Sequence, residues 1–69
     1  MDAVKVLKAE REKMGLSLAQ VAERAGMERP NLSRLENEAE SNPTIATLTR
    51  YAEALGKRLF IALVDQKAS

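Results

Sequence analysis

Arg29, Asn31, Ser33 and Arg34 crowd into one short stretch of the chain. An arginine can form two hydrogen bonds with one guanine, an asparagine can do the same with adenine, and a serine hydroxyl can donate or accept. The same residue types also solvate ordinary surface helices, and their spacing alone does not separate the two readings. What decides between them is how the neighbouring elements hold these side chains.

Ser17 stands before an apolar repeat at Leu18, Val21, Ala22 and Ala25. Its hydroxyl can accept a hydrogen bond from the unpaired amides of a first helical turn, so a helix is predicted to begin there. Gly26 follows the last apolar position and tolerates positive φ, so it both ends that helix and sets the angle to the next. Pro30 falls in the first turn of a second helix, where its missing amide hydrogen is no loss, and Leu32 and Leu35 give that helix one buried edge. Its other edge is polar and exposed. Two short helices hinged at a glycine make a helix-turn-helix pattern.

Ser17, Ala22, Gly26, Leu32, Ser33, Arg34, Leu35 and Glu36, followed by Asn42-Pro43-Thr44 and Tyr51-Ala52-Glu53-Ala54-Leu55-Gly56, resemble the Cro/cI-type (XRE) helix-turn-helix family. The resemblance covers residues 4–56 and implies an all-α fold, a compact four- to five-helix bundle of the lambda-repressor-like kind. It implies that the helix from Arg29 to Asn37 enters the major groove of double-stranded DNA while the preceding helix lies across the backbone. Carried over by position, Arg29, Pro30, Ser33 and Arg34 face bases, and Ser17, Asn31, Asn37 and Thr44 lie near phosphates. Arg11 and Glu36 match positions that form a partly buried ion pair between the first and third helices, a structural role.

The departures from that pattern also carry expectations. Leu18 stands where many members have a glutamine, which removes a phosphate donor, and Pro30 replaces a polar residue on the reading helix. Glu38 stands where a glycine often closes the third helix, so Asn37 is expected to supply a left-handed cap. Glu36, Glu38 and Glu40 put carboxylates near a helix end whose dipole is already negative, a field unfriendly to phosphate. Modest affinity with steep salt dependence is expected.

Upstream, a first helix is predicted from Asp2 as cap to Met14, with Val4, Leu7, Arg11 and Met14 on one stripe. A fourth is predicted to begin near Thr44, with Ile45, Leu48, Ala52 and Leu55 at helical spacing until Gly56 and with Tyr51 as packing. Gly15, Gly26 and Gly56 read as helix punctuation.

The tail changes character. Leu59, Phe60, Ile61, Ala62, Leu63 and Val64 are short in extent and apolar on both alternating faces, which favours a strand. Such a strand needs a partner for its backbone and its side chains. No other segment reads as one, so the expected partner is the same tail of a second copy, in an antiparallel ribbon across a homodimer. The alternative is a strap folded over its own bundle that buries Leu59, Ile61 and Leu63. Residues 1–56 are thus expected to form the DNA-binding domain and residues 57–69 the dimerisation element. Two reading helices one helical turn apart suit a palindromic operator.

Composition bounds the rest. Sixty-nine residues make one small domain, whose core benefits from a second copy or another partner. Eleven Lys and Arg against ten Asp and Glu leave a net charge of +1, so the nucleic-acid reading rests on arrangement rather than bulk charge. The chain has no cysteine and no histidine, which eliminates disulfides, zinc sites of the Cys/His type and imidazole-dependent mechanisms. No metal, cofactor or catalytic group is expected, because the serines lack an activating base and no phosphate-binding glycine loop is present. Lys5 and Lys8 interrupt the apolar residues at the amino end, so neither a signal segment nor a membrane span is expected, and the chain reads as cytoplasmic.

Small members of the family with similar tails include antitoxins that repress their own operon, which adds a toxin to the expected partners. The rival expectation is a helix-turn-helix fold used as a protein-interaction module, with the tail as its adhesive element and no productive DNA contact.

Overall fold

The computed structural model describes residues 2–38 and 41–66 of the chain. The capping side chain of Asp2 and the carboxylate of Glu40 lie outside the described residues. Four helices follow in order: α1 (Asp2–Lys13), α2 (Leu18–Ala25), α3 (Arg29–Asn37) and α4 (Ile45–Ala54). No fifth helix is present among the described residues.

Each helix forms where a polar start meets an apolar stripe. In α1 the stripe is Val4, Leu7 and Arg11, all buried. Met14 does not extend it: the helix stops at Lys13, the Gly15 amide turns back to the Glu12 carbonyl at 3.0 Å, and Met14 is left 44% exposed. In α4 the buried side chains are Leu48, Tyr51, Ala52 and Ala54, continued by Leu55. Ile45, expected on that stripe, is 62% exposed because the first position of α4 precedes the turn that meets the core.

α2 packs against α3 and α4, and α1 packs against the same two helices from the other side of the sequence. Val21, Leu32 and Tyr51, contributed by α2, α3 and α4, are fully buried and define the centre. Ala3, Leu16, Leu18, Met27 and Leu59 pack around it. Three of the four helices thus anchor at one point, which fixes the orientation of α3 within the bundle.

Beyond Gly56 the chain carries no regular secondary structure through Gln66, and no strand is present among the described residues. The expected strand is therefore not formed within one chain. The physical reason is the one that makes a strand need a partner: no other extended segment among the described residues supplies a ladder. The folded-back strap is corrected too. Leu59 packs against the core, but Ile61 is 59% and Leu63 102% exposed, and Phe60 and Val64 are exposed as well. The tail leaves the bundle beyond Phe60. The radius of gyration is 13.0 Å, against about 11 Å for a compact domain of this length.

Candidate nucleic-acid interface

The turn between α2 and α3 is set by backbone chemistry. Gly26 takes φ 67° and ψ 34°, the left-handed conformation that ends a helix, and the Met27 amide reaches back to the Ala22 carbonyl at 2.9 Å. Met27 then folds against the core. Arg29 and Pro30 open α3, whose N-cap, Glu28, makes no side-chain capping bond. The first-turn amides of α3 therefore have no side-chain acceptor of their own.

Because Leu32 and Leu35 are buried, the opposite side of α3 must face solvent. Arg29, Pro30, Asn31 and Arg34 are exposed there, and Ser33 is half-buried. The side chains are not independent: Arg34 donates an Nη2 hydrogen bond to Asn31 Oδ1. That contact spans three residues, the spacing at which helix side chains meet. It holds the Arg34 guanidinium against the helix and leaves the Asn31 amide hydrogens free to donate outward.

Ser17 and Thr44 mark the starts of α2 and α4. Ser17 Oγ accepts from the Gln20 amide at 3.1 Å, and Gln20 Oε1 accepts from the Ser17 amide at 2.8 Å, a reciprocal capping box. Thr44 Oγ1 accepts from the Thr47 amide at 3.1 Å. In each case capping uses an oxygen lone pair, so the exposed Ser17 hydroxyl keeps its hydrogen for an external acceptor, while Thr44 Oγ1 also shares a hydrogen bond with Thr47 Oγ1 at 3.0 Å.

Beneath this surface, Arg11 and Glu36 form a two-pronged ion pair. Arg11 Nη2 donates to Glu36 Oε1 at 2.8 Å and Arg11 Nε to Oε2 at 2.9 Å, while Nη1 donates to the Leu16 carbonyl at 2.9 Å. The Tyr51 hydroxyl donates to the same Oε2. The hydrogen bonds to Glu36 raise the Arg11 pKa above its ordinary value. Burial, reinforced by the neighbouring carboxylate, raises that of the Tyr51 phenol. One carboxylate ties α1, α3 and α4 together and fixes the roll of α3 about its axis.

The chain matches the Helix-turn-helix family model over residues 7–61. It belongs to that family, in its Cro/cI-type (XRE) branch. It is 43% identical over 60 residues to Antitoxin HigA1 of Mycobacterium tuberculosis, in strains CDC 1551 / Oshkosh and ATCC 25618 / H37Rv. The aligned part is 87% of this chain but 40% of those relatives, so the chain spans less than half their length.

Within this helix-turn-helix frame two expectations at the end of α3 are corrected. Asn37 is not a left-handed cap: no non-glycine residue among those described has positive φ, and α3 ends in Glu38 at φ −87°. Asn37 instead donates from Nδ2 to the Ser33 carbonyl at 2.8 Å and accepts from Lys8 Nζ at 3.4 Å, joining α3 to α1. Nor does Glu36 add to the acidic field at that helix end, since its side chain is 1% exposed and paired with Arg11, as the resemblance implies, and with Tyr51. Of the three carboxylates, Glu38 is exposed and Glu40 lies outside the described residues.

Gln20, Lys8 and Tyr51 take part in these contacts beyond what their positions in the sequence announce. Ser17 followed three residues later by Gln20 is a readable capping-box signal. A buried tyrosine calls for a hydrogen-bond partner but does not name it. Lys8 carried no signal. Leu59 and Phe60 lie beside Ala3, Val6, Leu7 and Ala52, along α1 and α4. Among the described residues no helix is long and apolar enough to cross a membrane.

Proposed function

We propose that this helix-turn-helix chain is a sequence-specific DNA-binding transcriptional repressor that acts as a homodimer on a palindromic operator. Residues 1–56 carry the recognition, and residues 57–69 the assembly. The observation that supports it best is the exposed face of α3: Arg29, Asn31 and Arg34 point away from a core that holds Leu32 and Leu35. In this reading Arg29, Pro30, Ser33 and Arg34 meet base edges, and Ser17, Asn31, Asn37 and Thr44 approach phosphates. The Ser17 hydroxyl hydrogen suits a phosphate oxygen, and Thr44 can turn its own outward where Thr47 donates in the hydrogen bond the two hydroxyls share. Asn37, already bonded to Ser33 and Lys8, contributes by holding the end of α3.

The burial of Glu36 favours this reading over a protein-interaction module, because it removes one of the carboxylates that would repel a phosphate backbone. Binding-site selection from random duplex DNA at low salt, run beside an Arg29→Ala, Arg34→Ala variant, tests it. A DNA reader enriches a palindrome with half-sites about one helical turn apart and loses it in the variant. A folded wild-type protein that enriches nothing supports the interaction module instead.

The similarity to Antitoxin HigA1 favours one addition: a repressor that also holds a toxin. Purification of the chain with its bound proteins from its own host tests this half separately, since loss of the toxin reading leaves the DNA reading standing.

A further inference from the structure

The tail exposes Phe60 (84%), Ile61 (59%), Leu63 (102%) and Val64 (87%) within five residues. Resting on the homodimer reading above, its sequence also fixes how two copies would meet. A twofold axis that exchanges two antiparallel strands runs perpendicular to the ribbon and passes between one residue and its own copy. The symmetric registers are therefore few, and each can be judged by which side chains it sets opposite each other.

With the axis at Phe60, Lys57 faces Leu63 and Arg58 faces Ala62, which sets charges against apolar groups. With the axis at Ala62, Leu59 faces Asp65, and with the axis at Leu63, Ile61 does. Only at Ile61 does the pattern match itself: Ile61 faces Ile61, Leu59 faces Leu63, Phe60 faces Ala62, and Lys57 faces Asp65 on both sides of the axis. Arg58 then faces Val64, which its aliphatic stem can cover while the guanidinium reaches water.

We infer that residues 57–65 pair with the same segment of a second copy in this one register, centred on Ile61, closed at both ends by Lys57–Asp65 ion pairs. The groups are disposed to do so. Lys57 is half exposed and bonded only loosely, at 3.4 Å, to Glu10, so its ammonium can bridge to a second carboxylate. Asp65 is exposed and makes no ion pair among the described residues. Leu59, which lies on the same alternating face as Ile61 and Leu63, already packs on its own core, so that face of the ribbon is directed toward the bundles.

The absence of cysteine makes the register directly measurable. In the full chain, Ile61→Cys alone should form disulfide-linked dimers on mild oxidation. Phe60→Cys and Ala62→Cys should each fail alone, because a position one step off the axis lies roughly 8 Å from its own copy, beyond disulfide reach. Those two variants, mixed, should link to each other. Sedimentation equilibrium at low salt supplies the second arm. Lys57→Asp and Asp65→Lys should each weaken the dimer by roughly threefold to tenfold, and the two changes combined should restore it. Dimers that link best through Phe60→Cys or Ala62→Cys alone, or a charge exchange that restores nothing, overturn the register and leave the homodimer intact. A folded chain that stays monomeric at every concentration overturns the homodimer and the register with it.

Discussion

Tyr51 on α4 donates its hydroxyl to the Glu36 oxygen that also accepts from Arg11 Nε, so the helix bearing the exposed arginines is held by a buried three-way contact. Fold and surface are coupled through it, since any rotation of α3 about its axis breaks hydrogen bonds to a charged, buried carboxylate. Changes at this centre should be read out as stability, whereas changes on the outer face of α3 should be read out as binding.

Replacing Tyr51 by Phe removes one hydrogen bond to a carboxylate and leaves the ring. The expected loss is about 1.5–3 kcal/mol of unfolding free energy at neutral pH, measured by urea denaturation. The pH dependence has a definite sign. Burial raises the folded-state pKa of the phenol above its ordinary 10.0, so folding favours the neutral form. Its contribution to stability is intact below pH 10 and is lost as pH rises from there toward the folded-state value. The wild type should lose stability above pH 10 more steeply than Tyr51→Phe, and parallel alkaline profiles would exclude the coupling.

Arg11→Met leaves the Glu36 carboxylate buried with Tyr51 as its one remaining partner. Breaking one side of such a pair costs about 3–5 kcal/mol, a large part of the stability of a 69-residue domain. Glu36→Gln leaves Arg11 without its counter-charge and turns one acceptor oxygen into a donor facing Arg11 or Tyr51, so it should cost a comparable amount. In thermal melts both variants should fall well below the wild type, and midpoints near that of the wild type would argue that the pair is solvated.

The sequence discloses those features whose cause is local. Ser17, Gly26, Pro30, Leu32 and Leu35 declare their positions because capping, left-handed φ and helical spacing act over a few residues. What stays hidden depends on distant chain. Met14 and Ile45 fit an apolar stripe by spacing, but where the core ends is decided by other helices. Glu36 pairs with Arg11 as the resemblance implies, but nothing local announces the Tyr51 hydroxyl on the same carboxylate, 15 positions away. Asn37 was a reasonable left-handed cap until Ser33 and Lys8 engaged its side chain. The tail shows strand chemistry without a strand, because no second extended segment among the described residues supplies a ladder.

Gly26→Ala isolates the turn. A methyl group there meets nothing within 4 Å, so the cost is backbone strain at φ 67° alone, about 1–2 kcal/mol. Stability should drop by that amount in chemical denaturation, with DNA binding retained at temperatures where the variant is folded. A loss much larger than this would mean that the turn cannot keep its conformation.

Arg34→Lys keeps the charge and removes the planar fork that bonds both Asn31 and, in the proposed reading, a base. It should lower affinity for the selected operator by about 1–3 kcal/mol while leaving binding to random duplex nearly unchanged. Asn31→Ala releases the guanidinium without removing it and should cost less on the operator. Fluorescence anisotropy on the two DNAs separates these outcomes, and an equal loss on both would assign Arg34 to the phosphate backbone rather than to a base.

Ser17 and Thr44 each cap a helix and, in the proposed reading, offer a hydrogen to phosphate, and aspartate divides the two roles. An aspartate caps a helix as well as serine or threonine does, and its charge favours the N-terminal end of the dipole. It has no hydrogen to donate and repels a phosphate. Ser17→Asp and Thr44→Asp should therefore keep or raise the melting temperature while weakening DNA binding on operator and random duplex alike, most strongly at low salt. Unchanged affinity in both variants would remove these two hydroxyls from the interface and restrict it to α3.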